Sequence, residues 1–440
     1  MAAIKQTLST VGETVYEVLT DEENARICDD LDETACRERP LSFLLILVSS
    51  FFTKLGDALS SPKTTLAWAA TAVGAPAFVL GFLVPIRESG SMVPQLFIGS
   101  YIRQLALRKW VWVAGSLLQF LAVAGMGLVV LWLEGAAAGW ALLALVTLFS
   151  LARGFCSVAA KDVMGKTIPK SKRGQLTGWS ASLAGAVTIG VGIVLMLPND
   201  GRLGEAVLGL LLMLAGALWL LAALVYAQVP EQPGETGGAR NAVEALRQLR
   251  LLVTDRPFRR FVITRALLMC SALSAPFYVA LAQQSVGSPA WLLGAFVAAA
   301  GLASLVSAPF WGRFADRSSK SVMVAAALIT SGIGLLTVLA TTFAPSLVAT
   351  AWYLPLAYFV LSTAHSGVRV GRKTYVVNLA GGNRRTDYVA ISNSVIGVLL
   401  LVVGSVGLLT PLIGHAGVIG LLALMGLAGA ALGVTLPETE

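Results

Sequence analysis

The sequence predicts an all-α integral membrane protein in which twelve transmembrane helices form two six-helix repeats. Three observations predict this fold: an apolar composition, positive charge confined to alternate loops, and an internal repeat. Apolar residues make up 56% of the 440 residues, charged residues make up 13%, and the mean hydropathy is +0.77. Soluble domains carry about 25% charged residues, so this chain has too little polar surface to cover itself in water.

Most of the positive charge after residue 100 falls into five short clusters separated by long apolar stretches. Each stretch is long enough for two helices of about 20 residues and a tight turn, and the turns are nearly free of charge. Because Lys and Arg concentrate on the cytoplasmic side of a membrane, the clusters predict that both termini are cytosolic. The clusters lie at residues 103–109, 166–173, 240–260, 312–320 and 368–385.

The clusters divide the chain into two bundles of six predicted spans. The first bundle, residues 41–228, has spans at 42–70, 76–100, 110–133, 138–160, 175–197 and 204–228. The second bundle, residues 260–440, has spans at 260–283, 290–312, 321–342, 347–370, 389–411 and 416–436. Two landmarks recur at nearly one offset, since Gly312 follows Gly99 by 213 residues and Arg372 follows Lys161 by 211. A six-helix unit used twice is typical of one class of transporter.

Two segments lie outside the bundles. Residues 1–40 hold four basic and ten acidic residues, and they predict an acidic cytosolic N-terminal segment. Residues 229–259 predict a cytosolic linker with a basic amphipathic helix that lies along the membrane surface, a plain linker helix being the alternative. The apolar side of that helix would carry Val243, Leu246 and Leu249. The four cysteines, Cys28, Cys36, Cys156 and Cys270, are interpreted as unpaired thiols.

Loop and helix motifs give a family resemblance over roughly residues 41–436. The stretch GRFADRSSK, beginning at Gly312, resembles the loop signature of the major facilitator superfamily: a glycine, three residues, Asp-Arg and a basic residue. LARGFCSVAAKD in the fourth span is similar to the helix motif of that family's proton-coupled members, with Arg153 in the place of its arginine. The resemblance implies a transporter whose single central site is reached alternately from each side.

Two departures from the family pattern concern the first bundle. Arg103 stands where the family's first loop has an aspartate, and the fifth span lacks the proline that marks the drug–proton antiporters. An exporter of many drugs is therefore not supported by these residues. In this bundle we also expect Asp162 to form an ionic latch with Arg103 or Arg108.

The resemblance also implies that cytosolic loop residues act as gates. In the second bundle we expect Asp316, placed just before a helix begins, to pair with Arg372 or Lys373. Such latches would stabilise the outward-open form and break when the two bundles rock. The predicted gating residues are Gly99, Arg103, Arg108, Asp162, Arg173, Gly312, Asp316, Arg317, Lys320, Arg372 and Arg384.

Four charged residues are predicted deep inside the membrane. At 1.5 Å per residue, Arg87 and Glu88 of the second span lie about 18 and about 16 Å from the cytosolic end. Lys54 and Asp57 of the first span lie at about 18 and about 22 Å by the same count. The hydrocarbon layer is about 30 Å thick, so all four side chains reach its middle. One charge at that depth costs on the order of 3 kcal/mol, which predicts that they face protein or a wet cavity.

Neighbouring residues point about 100° apart on a helix, so Arg87 and Glu88 cannot pair with each other. We predict that Asp57 pairs with Arg87 and that Lys54 pairs with Glu88. Pro85 predicts a bend or break of the second span at a substrate site. In this interpretation Arg87 anchors an anionic group, and Asp57 or Glu88 carries a proton.

Two other interpretations of these charges remain open. The second helix could run over residues 64–86, which would leave Arg87 and Glu88 in a cytosolic loop. Alternatively, the four charges form a static structural network. Arg153 and His365 are further candidates for the substrate and proton site, because they lie about 12 and about 10 Å from the cytosolic ends of the fourth and tenth spans. Neutral contacts could come from Trp179, Ser182, Tyr278, Gln283, Gln284 and Asn393.

These observations predict a secondary active transporter of a small solute, anionic or zwitterionic, that is coupled to protons. The expected setting is a monomer in the lipid bilayer of the bacterial cytoplasmic membrane. The alternative is a non-transporting protein of the same fold, such as a lipid flippase, a scramblase or a sensor. The sequence has no metal-ligand cluster, no nucleophile–base pair and no Walker pattern, so it predicts no cofactor, no enzyme activity and no nucleic-acid partner.

Overall fold

The computed structural model of the chain describes residues 2–20, 33–94, 98, 101–102, 104–197, 204–234, 236, 248–315, 317–379 and 384–438. Every regular element in these ranges is a helix, which confirms the all-α prediction. Large apolar side chains cover the outside of the helices, and Trp132, Phe343 and Leu412 are 80%, 80% and 81% exposed. Such a surface suits lipid and not water.

Six transmembrane spans make up the first bundle. Span 1 consists of two helices, Arg39–Leu59 and Thr65–Ala72, and span 2 is Phe78–Met92. Spans 3 to 6 are Lys109–Trp132, Gly135–Thr167, Lys170–Met196 and Glu205–Tyr226. Span 4 runs seven residues beyond its predicted end at residue 160, so its basic end projects into the loop region.

Six further spans make up the second bundle. Span 7 consists of Arg256–Leu267, Cys270–Leu273 and Ala275–Val286, and span 8 is Ala290–Ala315. Span 9 is Ser319–Phe343, followed by a short helix Pro345–Val348, and span 10 is Tyr353–Leu379. Span 11 is Arg384–Gly404 with a 3₁₀ turn Ser405–Leu409, and span 12 is Thr410–Val434.

Nine helical stretches in the described ranges are long and apolar enough to cross a membrane by length and composition. Spans 11 and 12 count as one of the nine, because they run on as the stretch Tyr388–Val434. Span 2 has 15 described helical residues, and span 10 is made more polar by residues such as His365 and Arg369. Dividing the stretch Tyr388–Val434 into spans 11 and 12, and adding spans 2 and 10 to the nine, gives the twelve predicted helices.

The two bundles pack alike, as a repeat requires. In the first bundle, span 3 packs against spans 4 and 6, span 2 against span 4, and span 1 against span 6. In the second bundle, span 9 packs against spans 10 and 12, span 8 against span 10, and span 7 against span 12. Every pair recurs six spans later, which confirms the duplicated six-helix unit.

The bundles touch through small residues on the side opposite the basic clusters. We call the side that carries the clusters the basic side, and the opposite one the far side. A Cβ added to Gly81 of span 2 would lie 2.5 Å from the carbonyl oxygen of Gly404 in span 11. A Cβ added to Gly192 of span 5 would lie 2.6 Å from the nitrogen of Ala298 in span 8. Side chains would hold the helices apart here, so glycine allows two close seams.

The N-terminal acidic segment begins with a helix, Ala2–Thr20, that docks on the basic side of the first bundle. Its Tyr16 is 3% exposed, meets Phe43 of span 1 edge-on at 5.2 Å, and lies 4.7 Å from the guanidinium carbon of Arg39. Lys172, at the start of span 5, donates a 3.1 Å hydrogen bond to the carbonyl of Thr20. The segment is therefore packed against spans 1 and 5.

Several local expectations are corrected. Span 1, and not span 2, is interrupted near its middle, between Leu59 and Thr65, where Pro62 lacks the N–H that would continue a helix. Pro85 lies inside the continuous helix of span 2. Cys36 forms a disulfide, so the interpretation as unpaired thiols is wrong for that residue, whereas Cys156 and Cys270 are free.

The linker between the bundles is described only in part. The amphipathic helix predicted within the linker of residues 229–259 is described only from residue 248, as a 3₁₀ turn Gln248–Arg250 and a short helix Leu251–Thr254. Val243 and Leu246, on which the amphipathic prediction depends, lie outside the described residues. Asp255 then caps span 7, because its carboxylate accepts a hydrogen bond from the N–H of Phe258 at 3.0 Å.

Candidate functional site

One carboxylate in the middle of the first bundle holds two arginines. Asp57 of span 1 accepts a 2.7 Å hydrogen bond from Arg87 of span 2, as the sequence predicted. Its second oxygen contacts Arg153 of span 4. The side chains of Arg87 and Asp57 are 13% and 21% exposed, so the pair is shielded from lipid yet not sealed from water. We call Asp57, Arg87 and Arg153 the aspartate cluster.

Contacts with span 4 fix the position of Arg87 in this cluster. The Arg87 guanidinium carbon lies 4.3 Å from the centre of the Phe149 ring, a cation–π contact with span 4. Ser150 donates a 2.7 Å hydrogen bond to the carbonyl of Arg87. Gly90 allows this approach, because an added Cβ would lie 2.6 Å from the Ser150 hydroxyl. Span 2 is thus held against span 4 at the depth of the cluster.

Lys54 does not pair with Glu88, so that prediction is wrong. Its ammonium group donates 2.7 Å hydrogen bonds to the carbonyl of Thr177 and to the hydroxyl of Ser180, both on span 5. Counting residues along a helix gives depth but not direction around the axis. Lys54 and Glu88 share a depth, but Lys54 points to span 5.

Glu88 instead lies among cations of both bundles. It interacts electrostatically with Lys63, in the break of span 1, and with Arg369 and Arg372 of span 10. None of these contacts is an ion pair within 4.0 Å among the described residues, and all four side chains are partly or fully exposed. The carboxylate therefore lies near these cations without a closed ion pair to any of them. We call Lys63, Glu88, Arg369 and Arg372 the glutamate cluster.

Arg265 of span 7 borders the glutamate cluster and has no carboxylate partner in the described part of the chain. It is 6% exposed, and it donates 2.8 Å hydrogen bonds to Ser392 and Asn393 of span 11. Its Nε atom is buried without a partner, and its electrostatic neighbours are Arg372 and Glu88. A buried charge that is left unpaired costs several kcal/mol, on the order of 3. Neutral hydrogen-bond acceptors offset only part of that cost.

His365 of span 10 lies beside the same group. Its Nδ1 atom is 3.0 Å from the hydroxyl of Ser271 in span 7, and its charged neighbours are Lys63, Arg369 and Arg372. The sequence therefore placed His365 correctly at the centre. It did not indicate that the nearest charges would all be cations.

The two clusters with their neighbours carry seven basic side chains and two carboxylates. Arg265, Lys63 and Arg369 were missed by the sequence reasoning, although each lies inside or beside an apolar span. The depth count applied to Arg87 would have found Arg265 at once. Lys63 was hidden because the break in span 1 cannot be seen from composition. The seven basic residues are Lys54, Lys63, Arg87, Arg153, Arg265, Arg369 and Arg372, and the carboxylates are Asp57 and Glu88.

The family model of the Major Facilitator Superfamily matches residues 46–405, which is most of the chain. The chain belongs to this superfamily. A curated relative, the multidrug resistance protein MdtG of Escherichia fergusonii, is 29% identical over 265 residues. The match covers 58% of this chain and 60% of the relative, so the chain spans less than two thirds of that protein's length.

Solved structures of superfamily transporters have the same fold. The nucleoside transporter NupG has a TM-score of 0.72 at 13% identity and covers 90% of this chain and 99% of its own. A D-xylose–proton symporter has a TM-score of 0.67 at 16% identity, with coverages of 91% and 98%. The inward-open xylose transporter XylE of E. coli has a TM-score of 0.68 at 16% identity, with coverages of 91% and 97%. All three solved structures are of transporters.

At the superfamily's loop motif in the first bundle, charged side chains form a network of ion pairs and hydrogen bonds, part of which lies in the described residues. Arg108 contacts Asp162, the pairing expected from the sequence, and Lys166 is 3.0 Å from the other oxygen of Asp162. Glu231 at the end of the bundle accepts hydrogen bonds from the N–H groups of Arg108 and Lys109 at 2.9 and 2.7 Å, where span 3 begins. The latch joins spans 3 and 4, so it stabilises one bundle and does not bridge the two. Gly99 and Arg103 lie outside the described residues.

The latch predicted for the loop motif of the second bundle remains a prediction, because Asp316 lies outside the described residues. Arg372, its expected partner, faces Glu88 and not the loop surface. Lys320 pairs with Glu438 at 2.7 Å, which ties the motif to the chain's C-terminal end. A Cβ at Gly312 would meet no atom within 4 Å. Arg317 is exposed, and the side chain of Arg384 is not described.

The remaining candidates have mainly structural contacts. Arg173 donates hydrogen bonds to the carbonyls of Gly165 and Ile168, where span 4 ends. Tyr278 is buried beside Thr337, and Trp179 donates to the carbonyl of Leu19 in the N-terminal helix. Gln283 and Gln284 line a far-side cavity of about 320 Å³, and Ser182 is exposed. Within the described ranges, no group of three His, Cys, Asp or Glu residues is placed to hold a metal ion.

Proposed function

We propose that the chain is a proton-coupled secondary active transporter that moves a small solute by alternating access. One observation carries the proposal: two partly exposed carboxylates, Asp57 and Glu88, lie among arginines at mid-depth, where the two bundles of a superfamily transporter face each other. Ionisable groups at that depth are expensive and mark substrate and proton paths. A static network would have closed ion pairs, whereas Glu88 has none within 4.0 Å in the described chain.

Alternating access is supported by the seams between the bundles. The glycine seams between spans 2 and 11 and between spans 5 and 8 hold the two bundles together on the far side. The similarity to inward-open XylE points the same way. In this proposal the central site is open to the basic side, which faces the cytosol. The solute then binds, and the bundles rock about the site.

The two carboxylates are proposed to exchange the proton. Protonation of Asp57 would remove the anion that Arg87 and Arg153 share, which would free both arginines to bind solute or to change partners. Glu88 can accept a proton without breaking an ion pair, but it is surrounded by Lys63, Arg369, Arg372 and Arg265. Protonation of either carboxylate would therefore change which cations are neutralised. Coupling to a proton gradient requires such a link between proton binding and the state of the site.

The proposal is tested with the purified full-length chain in proteoliposomes that contain the pH dye pyranine. The probes are xylose, uridine, citrate, glucose 6-phosphate and ethidium, added under an imposed proton gradient. We expect at least one probe to produce proton movement across the membrane. Asp57→Asn and Glu88→Gln should abolish that movement, whereas Glu134→Gln, an exposed carboxylate on the far side, should leave it intact.

The outcome that contradicts the proposal is also specific. If the probe movement were independent of the proton gradient, or equal in Asp57→Asn, Glu88→Gln and the wild type, these carboxylates would not couple protons. Transport measurements at one protein per vesicle should also give full activity, because the proposed unit is a monomer in the bacterial cytoplasmic membrane.

A further inference from the structure

We propose that the transported solute is a small organic anion with two or more negative charges, bound through carboxylate or phosphoryl oxygens between Lys63 and the arginines of spans 7 and 10. This inference rests on the proposed transport function and names the class of its substrate. The glutamate cluster, together with Arg265, is the binding site.

The first step is the supply of donors. Lys63, Arg369 and Arg372 are partly or fully exposed, and their charged groups make no hydrogen bond or ion pair within the described residues. Guanidinium groups present paired N–H donors that match the oxygens of carboxylate and phosphate. A neutral solute would leave these donors to water. An anion with several oxygens would use them.

The second step is an independent observation at Arg265. This side chain is buried, its Nε atom has no partner, and the groups around it are Ser392, Asn393, Glu88 and the like-charged Arg372. A buried arginine held by neutral groups is already desolvated and oriented. It lacks the negative charge that would compensate it, and a bound anion near Arg372 would supply that charge.

The third step is the number of charges. Lys63, Arg265, Arg369 and Arg372 share one described carboxylate, Glu88, so three positive charges lack a counterpart. A solute with one negative charge would leave most of this excess, whereas a solute with two or three would remove it. A cationic solute would be repelled by all four side chains. The charge balance therefore favours a polyanion.

The fourth step concerns the conformational change. Lys63 belongs to the first bundle, and the arginines belong to the second, so like charges face each other between the bundles. Bringing the bundles together around an empty site increases their repulsion. A bound polyanion replaces repulsion by attraction on both sides. The solute then favours the closed form by the difference between its affinities for the two forms.

A lipid with an anionic headgroup offers the same phosphate chemistry as a soluble anion. The inference commits to a water-soluble solute, because Lys63 of the first bundle and Arg372 of the second are both neighbours of Glu88 and so lie between the bundles and not on the apolar outer surface. The test therefore compares nanodiscs of phosphatidylcholine with nanodiscs of phosphatidylglycerol. If phosphatidylglycerol abolished the binding of soluble anions, the headgroup of a lipid would be the occupant and the soluble-solute proposal would be overturned.

The experiment measures equilibrium binding to the full chain by calorimetry at constant ionic strength. The probes are citrate, succinate and glucose 6-phosphate, with lactate, xylose and tetraphenylphosphonium as singly charged, neutral and cationic comparisons. We expect at least one polyanion to bind tenfold or more tightly than lactate. The same affinity should fall steeply with added salt, because the binding depends on charge.

Variants assign the binding to the named side chains. Arg369→Gln and Arg372→Gln should each weaken the polyanion at least tenfold, and Glu88→Gln should strengthen it severalfold because a competing negative charge is removed. Arg260→Gln is the matched control, since Arg260 is exposed near the start of span 7 and is outside the site. Arg369 is itself exposed, so its substitution tests the site without disturbing a buried side chain.

Two results would overturn the inference. One is that no polyanion binds more tightly than lactate; the other is that polyanion affinity is equal in Arg369→Gln, Arg372→Gln and Arg260→Gln. These results differ from failure of the proposed function. Tight binding of citrate without gradient-driven movement would remove the transport function and leave the site, whereas proton-coupled movement of xylose alone would do the reverse.

Discussion

At the scale of single residues, Asp57 connects two arginines inside the first bundle. Its two oxygens hold arginines from spans 2 and 4, so one carboxylate joins three helices. A pair of this kind contributes little when whole, but removing one partner leaves a desolvated charge. Loss of Asp57 would leave both arginines without their anion, whereas loss of one arginine would leave Asp57 paired with the other.

This asymmetry predicts different effects for two substitutions. Asp57→Asn should lower the free energy of unfolding by about 2 kcal/mol, because Arg87 and Arg153 both lose their anion. Arg153→Gln should cost less, because Arg87 keeps its partner, and it should soften the effect of Asp57→Asn in the double variant. Equilibrium unfolding in mixed micelles measures all three. Additive effects would show that the three side chains do not act as one cluster.

Single residues also show which side-chain pairs of the site could be predicted from the sequence. The depth count put Asp57 and Arg87 at one level, and they pair. It put Lys54 and Glu88 at one level too, and they point apart, because depth along an axis does not specify direction around it. Arg372 was expected at a loop surface, yet the longer span 10 carries it into the glutamate cluster. Such directions are set by tertiary packing, which periodicity in one helix does not contain.

At the scale of elements, the spans are defined by their apolar length and by the glycines that let them touch. Span boundaries followed from hydropathy to within a few residues for most helices. The interruption of span 1 was not predicted, because SSPK is a short polar stretch within an apolar one. That break places Lys63 at the site. The seams of spans 2 with 11 and 5 with 8 depend on glycines whose role is visible only in the pair.

The seam between spans 5 and 8 gives a prediction with an internal control. Gly192→Leu should open the far side, because its Cβ would lie 2.6 Å from the nitrogen of Ala298 and 2.8 Å from the carbonyl oxygen of Gly294. Gly190→Leu on the same helix should have no such effect, since nothing lies within 4 Å of its added Cβ. The seam would be irrelevant to the conformation if both variants behaved alike.

The measurement is a distance between spin labels on the far side. Glu134→Cys and Ser346→Cys place one label on each bundle, in the turns after spans 3 and 9, and both positions are exposed. We expect Gly192→Leu to add a longer distance to the distribution. Wild-type chain and Gly190→Leu should share the shorter one.

At the scale of the whole molecule, the fold was predictable because two constraints agree. Apolar runs fix the number of passes, and basic loops fix which ends lie together. Both described terminal regions lie on the basic side, where Lys172 meets the N-terminal helix and Lys320 pairs with Glu438. The charge inside the bundles was only partly predictable, because it is distributed over five spans, 1, 2, 4, 7 and 10, which are far apart in the sequence and meet only in the folded protein.

The orientation of the molecule is open to a direct test. Single-cysteine variants Val253→Cys, on the basic side, and Glu134→Cys, on the far side, are made in a background without native cysteines. A membrane-impermeant maleimide should label Glu134→Cys in intact cells and Val253→Cys only after permeabilisation, because the basic side is proposed to face the cytosol. The reverse pattern would invert the proposed topology.

The excess of basic side chains at the centre has an electrical consequence. A voltage of 100 mV changes the free energy of moving one elementary charge across the bilayer by about 2.3 kcal/mol. In the proposed mechanism, an unloaded carrier would present these cations uncompensated, whereas a carrier with a bound polyanion would present them neutralised. The field would then act mainly on the return of the unloaded form, and an interior-negative cell would hold that form with its site towards the cytosol.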